Sequence, residues 1–114
     1  MNKKEMPREN LPSKNVKINK DMRRVYLLVY SNVIGDRDVM KGILNNIEGV
    51  LDWRFDMPNS FYVISEMNAC TLVDRIHANI HSDSCRFFIT EISANHQGYL
   101  PKDTWEFINS VRNS

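Results

Sequence analysis

Two histidines, His77 and His81, stand four residues apart, a spacing that turns both imidazoles to one side of a helix and lets them share a metal ion. No Cys or Glu completes that pair at a fixed spacing, and no HExxH phrase is present. The two therefore read as surface residues near a helix C-terminus, where the macrodipole favours positive charge. Cys70 falls at the opening of the same helix, a position that lowers a thiol pKa. A nucleophile there needs a base and an oxyanion site, and the spacing supplies neither. His96, between Asn95 and Gln97, reads as a polar loop residue. The chain has 4 glycines and no glycine-rich phosphate loop, which argues against ATP or dinucleotide binding. Cys70 and Cys85 form no CxxC or metal pair and read as reduced thiols of a cytoplasmic protein.

The elements that must position these residues are set by periodicity. Residues 24–31 (Arg-Val-Tyr-Leu-Leu-Val-Tyr-Ser) form a β-branched and aromatic run, a first strand. Gly35 breaks the chain, and Asp36 is placed to cap a first helix. Val39, Ile43, Leu44 and Ile47 share one face of that helix, and Gly49 is placed as its left-handed C-cap. In the next run Leu51, Trp53 and Phe55 alternate with Asp52 and Arg54, the pattern of a second strand. Met57-Pro58-Asn59 is a turn into a third strand over 61–65, which makes a hairpin. Asn68 caps a second helix carrying Ala69, Leu72, Val73, Ile76 and Ile80. After a loop at Ser82-Asp83-Ser84, residues 86–92 give a fourth strand. Pro101 then opens a last helix with Trp105, Ile108 and Val111 on its apolar side. Met22, Met40, Met57 and Met67 form no stripe and read as filling residues.

This order predicts an α+β fold, a ferredoxin-like βαββαβ sandwich with a four-stranded antiparallel sheet and an added C-terminal helix. Right-handed crossovers put the first two helices on one face of the sheet. The other face is then apolar as well, because Val25, Leu27 and Val29 alternate with Tyr26, Leu28 and Tyr30. A face of that kind demands a cover: a second subunit, the last helix, or a ligand such as RNA bases. A twofold homodimer is the expected answer, with Tyr26, Leu28, Tyr30, Tyr62, Ile64 and Phe88 at its interface.

A chain of 114 residues is one domain, expected over 23–114. Ahead of it, residues 1–22 form a basic arm with Pro7 and Pro12, expected to be disordered. Residues 1–24 carry eight cations and three anions, a local charge of +5, so the remainder carries −4 of the total +1. A basic arm suits phosphate attraction or simple solubility. The longest apolar run, residues 25–30, is too short to cross a bilayer, and no apolar signal segment precedes it.

Several phrases carry a family resemblance: Val25-Tyr-Leu-Leu-Val-Tyr30, Trp53 before the hairpin, Ser60-Phe-Tyr-Val-Ile64, Arg86-Phe-Phe-Ile-Thr-Glu-Ile92, Gly98-Tyr-Leu100 and Trp105. From Val25 to Ile108 the chain resembles small bacterial SinR-family proteins. These are similar to the CRISPR-associated spacer-acquisition endonuclease subunit and to virulence-associated protein D. The resemblance implies a ferredoxin-like homodimer. In nuclease members an aspartate follows the tyrosine that ends strand one, and one from each subunit holds magnesium, which activates water. Here that position is Ser31, a neutral hydroxyl and a poor magnesium ligand. The nearest carboxylates, Asp36 and Asp38, are better explained by the helix dipole.

The expectation is thus a non-catalytic homodimer of a nuclease-like family, in a defence or toxin–antitoxin setting. It binds nucleic acid or a partner, needs no cofactor, and has Arg23, Arg24 and Arg54 as phosphate contacts. One alternative is a metal-dependent endoribonuclease using magnesium, with Asp36, Asp38 and Ser31 as candidate catalytic residues. Another is a monomeric RRM-like domain stacking bases on Tyr26, Tyr62 and Phe88, although the third strand lacks the RNP phrase. A ligand-binding regulatory domain shares the same order.

Overall fold

The computed structural model describes residues 22–112 apart from positions 82 and 84. The basic arm, except for Met22, lies outside the described residues, as do Ser82 and Ser84 of the expected loop. The elements run β1 (Arg24–Tyr30), α1 (Arg37–Asn45), β2 (Val50–Arg54), β3 (Ser60–Ser65), α2 (Ala69–Ala78), β4 (Phe87–Glu91) and α3 (Lys102–Arg112). Four strands form one sheet in the order β2-β3-β1-β4, and every neighbouring pair is antiparallel. Among the described residues the architecture is therefore α+β, with a four-stranded antiparallel sheet and three helices.

The period-two alternation of β1 divides the core. Tyr26, Leu28 and Tyr30 join Phe61 and Val63 of β3 on the face covered by α1 and α2. Four of these side chains are 1% exposed or less, and Tyr30 is 4% exposed. α1 contributes Met40, Ile43 and Leu44, and α2 contributes Leu72 and Ile76. Met40 fills the core on the helix face, and Val39 is exposed. α1 begins at Arg37 with Asp36 as N-cap, accepting from the Val39 N–H at 3.1 Å. α2 begins after Asn68, whose side chain accepts from the Thr71 N–H at 2.9 Å.

The opposite face carries a second, smaller core. Val25, Tyr62 and Ile64 are buried against Ile108 of α3, flanked by Leu27, Leu51, Trp105 and Val111. The cover over this part of the sheet is the last helix, one of the three expected candidates. It is fastened by a polar latch. The Arg54 Nε–H donates to Thr104 Oγ1 at 2.9 Å, and the Thr104 hydroxyl donates to Asp56 Oδ2 at 2.5 Å. The Tyr62 hydroxyl reaches Asp56 Oδ1 at 3.5 Å. Thr104 is fully buried, so these bonds answer a hydroxyl withdrawn from water.

Two local expectations are corrected. The register shifts between Val50 and Asp52, so a β-bulge sends Leu51 to the α3 face while Trp53 stays with α1. Simple alternation puts Leu51 and Trp53 together. α1 ends at Asn45 with Asn46 as its C-cap at φ −88°, and Gly49 is no left-handed cap. A Cβ on Gly49 would stand 2.8 Å from the Met67 sulfur, so its small size serves packing. Gly35 is the glycine that needs its freedom: its φ is +143°, and a Cβ there would meet the Val39 side chain at 2.8 Å. Among the described residues no helix is long and apolar enough to cross a membrane.

Candidate functional site

The C-terminal end of β1 is where the sheet, α1 and the β2–β3 turn meet. The Ser31 N–H donates to the Arg86 carbonyl at 2.9 Å, and Ser31 Oγ accepts from the Val33 N–H at 3.1 Å. On the other side Asn59, held at φ +59°, donates from Nδ2 to the Tyr30 carbonyl at 3.0 Å and to Asn32 Oδ1 at 2.7 Å. Asparagine tolerates that left-handed backbone better than most residues.

Tyr30 has a recess on each side. One, of about 180 Å³, is lined by Tyr30, Asn32, Asp36, Arg37 and Asn59 among others. The second, of about 370 Å³, is more open and is lined by Val29, Tyr30, Ser31, Arg86, Phe87 and Phe88. The first pairs a carboxylate with a guanidinium. The second is lined by Arg86 and by no acidic residue, beside Phe88, which is 66% exposed. Burial raises the Tyr30 phenol pKa; Arg37 acts against that shift and Asp36 adds to it. The hydroxyl therefore stays neutral at physiological pH. The Arg37 guanidinium lies 4.0 Å from the centre of the Phe55 ring, which fixes its position.

The candidate magnesium ligands do not converge. Ser31 lines the open recess and Asp36 the other, on opposite sides of Tyr30. The Asp36 carboxylate is engaged as the α1 cap, and Asp38 lies 3.7 Å from Lys41 with its side chain 85% exposed. A hard divalent cation needs several oxygens around one point, and this donor set does not fit it. Among the described residues no group of three or more His, Cys, Asp or Glu could hold a metal, and His77 and His81 are both exposed. His96 stacks on Trp105 with ring centres 5.9 Å apart and bonds the Ser93 carbonyl, a structural role. Cys70 and Cys85 are free thiols, and Cys70 is exposed.

The expected phosphate contacts are dispersed. Arg24 donates to the Glu66 carbonyl at 3.3 Å and lies 3.8 Å from Glu91, and Arg23 is also engaged. Arg54 belongs to the α3 latch on the opposite face. The expected dimer residues are dispersed too. Tyr26, Leu28 and Tyr30 are buried under α1 and α2, and Tyr62 and Ile64 under α3, so only Phe88 remains on a surface. The aromatics of the base-stacking alternative are divided in the same way: Tyr26 lies on one face, and Tyr62 and Phe88 on the other. The error was one of phase. Residues of β1 and β3 that share a face are fixed by the pairing Leu27↔Tyr62, which no single strand reveals.

Arg86 and Arg37 are the cations that the end of β1 does present, and the sequence reading missed both. Arg86 acquires its place through pairing with Ser31, fifty-five residues away. Arg37 carried a usable signal, standing one residue past a cap and next to a strand end. Comparison of the chain with protein-family models, with curated proteins and with solved structures returned no match.

Proposed function

We propose that this chain is a non-catalytic, homodimeric protein of ferredoxin-like architecture that binds nucleic acid through the end of β1. The observation that carries the reading is the character of the open recess: Ser31 and Arg86 stand together beside an exposed aromatic ring. A guanidinium next to an exposed ring suits a phosphate backbone and an unstacked base. The sheet order β2-β3-β1-β4, with α1 and α2 on one face, supports the ferredoxin-like assignment. The SinR-like resemblance adds a direction: a nuclease-like scaffold with a hydroxyl where a metal-binding carboxylate stands in active members, working in the cytoplasm of a bacterial defence or toxin–antitoxin system.

The test is fluorescence anisotropy with labelled single-stranded RNA, single-stranded DNA and duplexes, at several salt concentrations. The expected result is binding that weakens as salt rises, and weakens further in Arg86→Ala. Absence of binding at low salt, or binding indifferent to Arg86→Ala and Arg37→Ala, overturns the reading. Magnesium-dependent cleavage that is lost in Asp36→Asn replaces it with the endoribonuclease alternative.

A further inference from the structure

The recess on the α1 side of Tyr30 holds polar groups that the fold leaves without partners. Tyr30 turns its side chain to the face under α1 and α2 and is 4% exposed. Its hydroxyl bonds no protein group among the described residues, and no side-chain polar atom there is sealed from solvent without a partner. The hydroxyl is therefore where this buried side chain reaches open space. Arg37 and Asp36 are the charged groups that act on it, and both line this recess, so the space it reaches is this one. A neutral phenol there is a donor in want of an acceptor.

Two charges flank that hydroxyl. Asp36 caps α1 through Oδ1, which accepts from the Val39 N–H at 3.1 Å, and its Oδ2 has no partner among the described residues. The Arg37 guanidinium rests on the Phe55 ring and makes no hydrogen bond or ion pair among them. The two charges line one small space, yet no ion pair joins them. The bond between the Asn59 and Asn32 side chains uses Nδ2 of the first and Oδ1 of the second, so Asn59 Oδ1 and Asn32 Nδ2 are also open.

We infer that this recess binds a free α-amino acid as its zwitterion. Its volume of about 180 Å³ lies below the roughly 300 Å³ at which drug-sized sites begin, so the ligand is small. An anion alone would meet the Asp36 carboxylate, and a cation alone the Arg37 guanidinium. A molecule whose two charges are joined through one carbon satisfies both neighbours at once. Its carboxylate takes the planar fork of Arg37 and the proton of the Tyr30 hydroxyl, at the first turn of α1, where the macrodipole favours negative charge. Its ammonium donates to Asp36 Oδ2. The two asparagine amides offer one donor and one acceptor to a short polar side chain. A nucleobase answers the same charges but needs a ring to stack on. Phe88 lines the other recess, and the Phe55 ring is engaged by Arg37 at 4.0 Å and Lys41 at 5.1 Å. Binding here goes beyond the nucleic-acid reading, which is carried by Arg86 on the other side of Tyr30.

The test is heteronuclear NMR of the full chain, free of nucleic acid, titrated with each of the common L-amino acids. Short polar amino acids are expected to shift the amides of residues 31–37 and 59, with a dissociation constant below about 1 mM. The N-acetyl derivative loses the ammonium and the carboxamide derivative loses the carboxylate; each should bind at least about tenfold more weakly, with the protein unaltered. Asp36→Asn keeps a capping side chain and removes the charge, and should weaken binding about tenfold. Tyr30→Phe keeps the ring and should weaken it about threefold or more. Asp38→Asn removes a charge from the same turn outside the recess and should leave binding unchanged. No shift with any amino acid at about 10 mM, shifts confined to residues 86–88, or equal binding of acetate or the N-acetyl derivative overturns the inference. So does equal loss in Asp38→Asn, or a titration in which guanosine shifts these amides and the amino acids do not. Each of these results leaves nucleic-acid binding to be decided separately, through Arg86→Ala.

Discussion

Under α1 and α2 the sheet presents Tyr26, Leu28, Phe61 and Val63, all 1% exposed or less. Under α3 it presents Val25, Tyr62 and Ile64, at most 5% exposed, but Val29 on that face is 43% exposed and Phe88 66%. The first face is closed by two helices and large aromatic packing: Trp53 and Phe55 meet the Phe61 ring edge-on, with centres 5.5 Å apart in each case. The second face is closed over part of its length by one helix, and a polar latch holds that helix in place. The difference teaches that one side of the sheet is closed along its length, while the other is closed only in part and leaves apolar side chains exposed. The closed face supplies the core. The partly covered face leaves the end of β1 and the β4 edge within reach of another molecule.

That division makes ordered predictions. Phe61→Ala strikes the closed face at the ring that Tyr30, Trp53 and Phe55 all contact, and should cost about 3–5 kcal/mol in urea unfolding. A cost below that of any α3 substitution would reverse the comparison. Ile108→Ala, on the smaller core, should cost about 2–3 kcal/mol, with amide exchange rising first in α3. Uniform exchange across the molecule would mean that the helix is not a separable unit. Thr104→Val keeps the shape of the latch but leaves Asp56 and Arg54 without their shared hydroxyl, and should cost about 1–2 kcal/mol.

An alkaline titration probes both faces at once. Burial raises the phenol pKa values of Tyr26, Tyr30 and Tyr62 above 10.0. The unfolded chain ionises these groups near 10 and the folded chain does so higher, so their contribution is complete below pH 10 and is lost as pH rises through the folded values. The urea midpoint should hold between pH 8 and pH 9 and fall above pH ~10, together with cooperative phenolate absorbance. A midpoint unchanged up to pH ~11 would contradict the burial of these hydroxyls. The smallest effect belongs to Asp38→Asn, under about 0.5 kcal/mol in stability, because its contact with Lys41 is exposed.

The elements were legible where the chain is locally consistent. The strand of residues 24–30, the caps Asp36 and Asn68, and the face Leu72–Ile76 are dictated by spacing and side-chain chemistry, and the structure has them. The helical start was displaced by one residue at Pro101, whose carbonyl accepts from Thr104 and Trp105. What escaped the sequence was pairing. The bulge that sends Leu51 and Trp53 to opposite faces depends on β3, and the junction of Ser31 with Arg86 depends on the β1–β4 register. Alternation says that two sets of side chains exist on a strand, but not which set meets which helix. For that reason six candidate interface residues, chosen from three strands, were drawn from both sides of the sheet.

The latch that joins Thr104 to Arg54 and Asp56 spans about half the chain, and it closes with the last of the described elements. Until α3 docks, the second face of the sheet has no cover among the described elements. For that interval Val25, Leu27, Tyr62 and Ile64 lie open to solvent and to other chains. Docking of α3 therefore withdraws that apolar face from solvent. A message truncated just before α3 would yield a sheet that folds on one side and aggregates through the other.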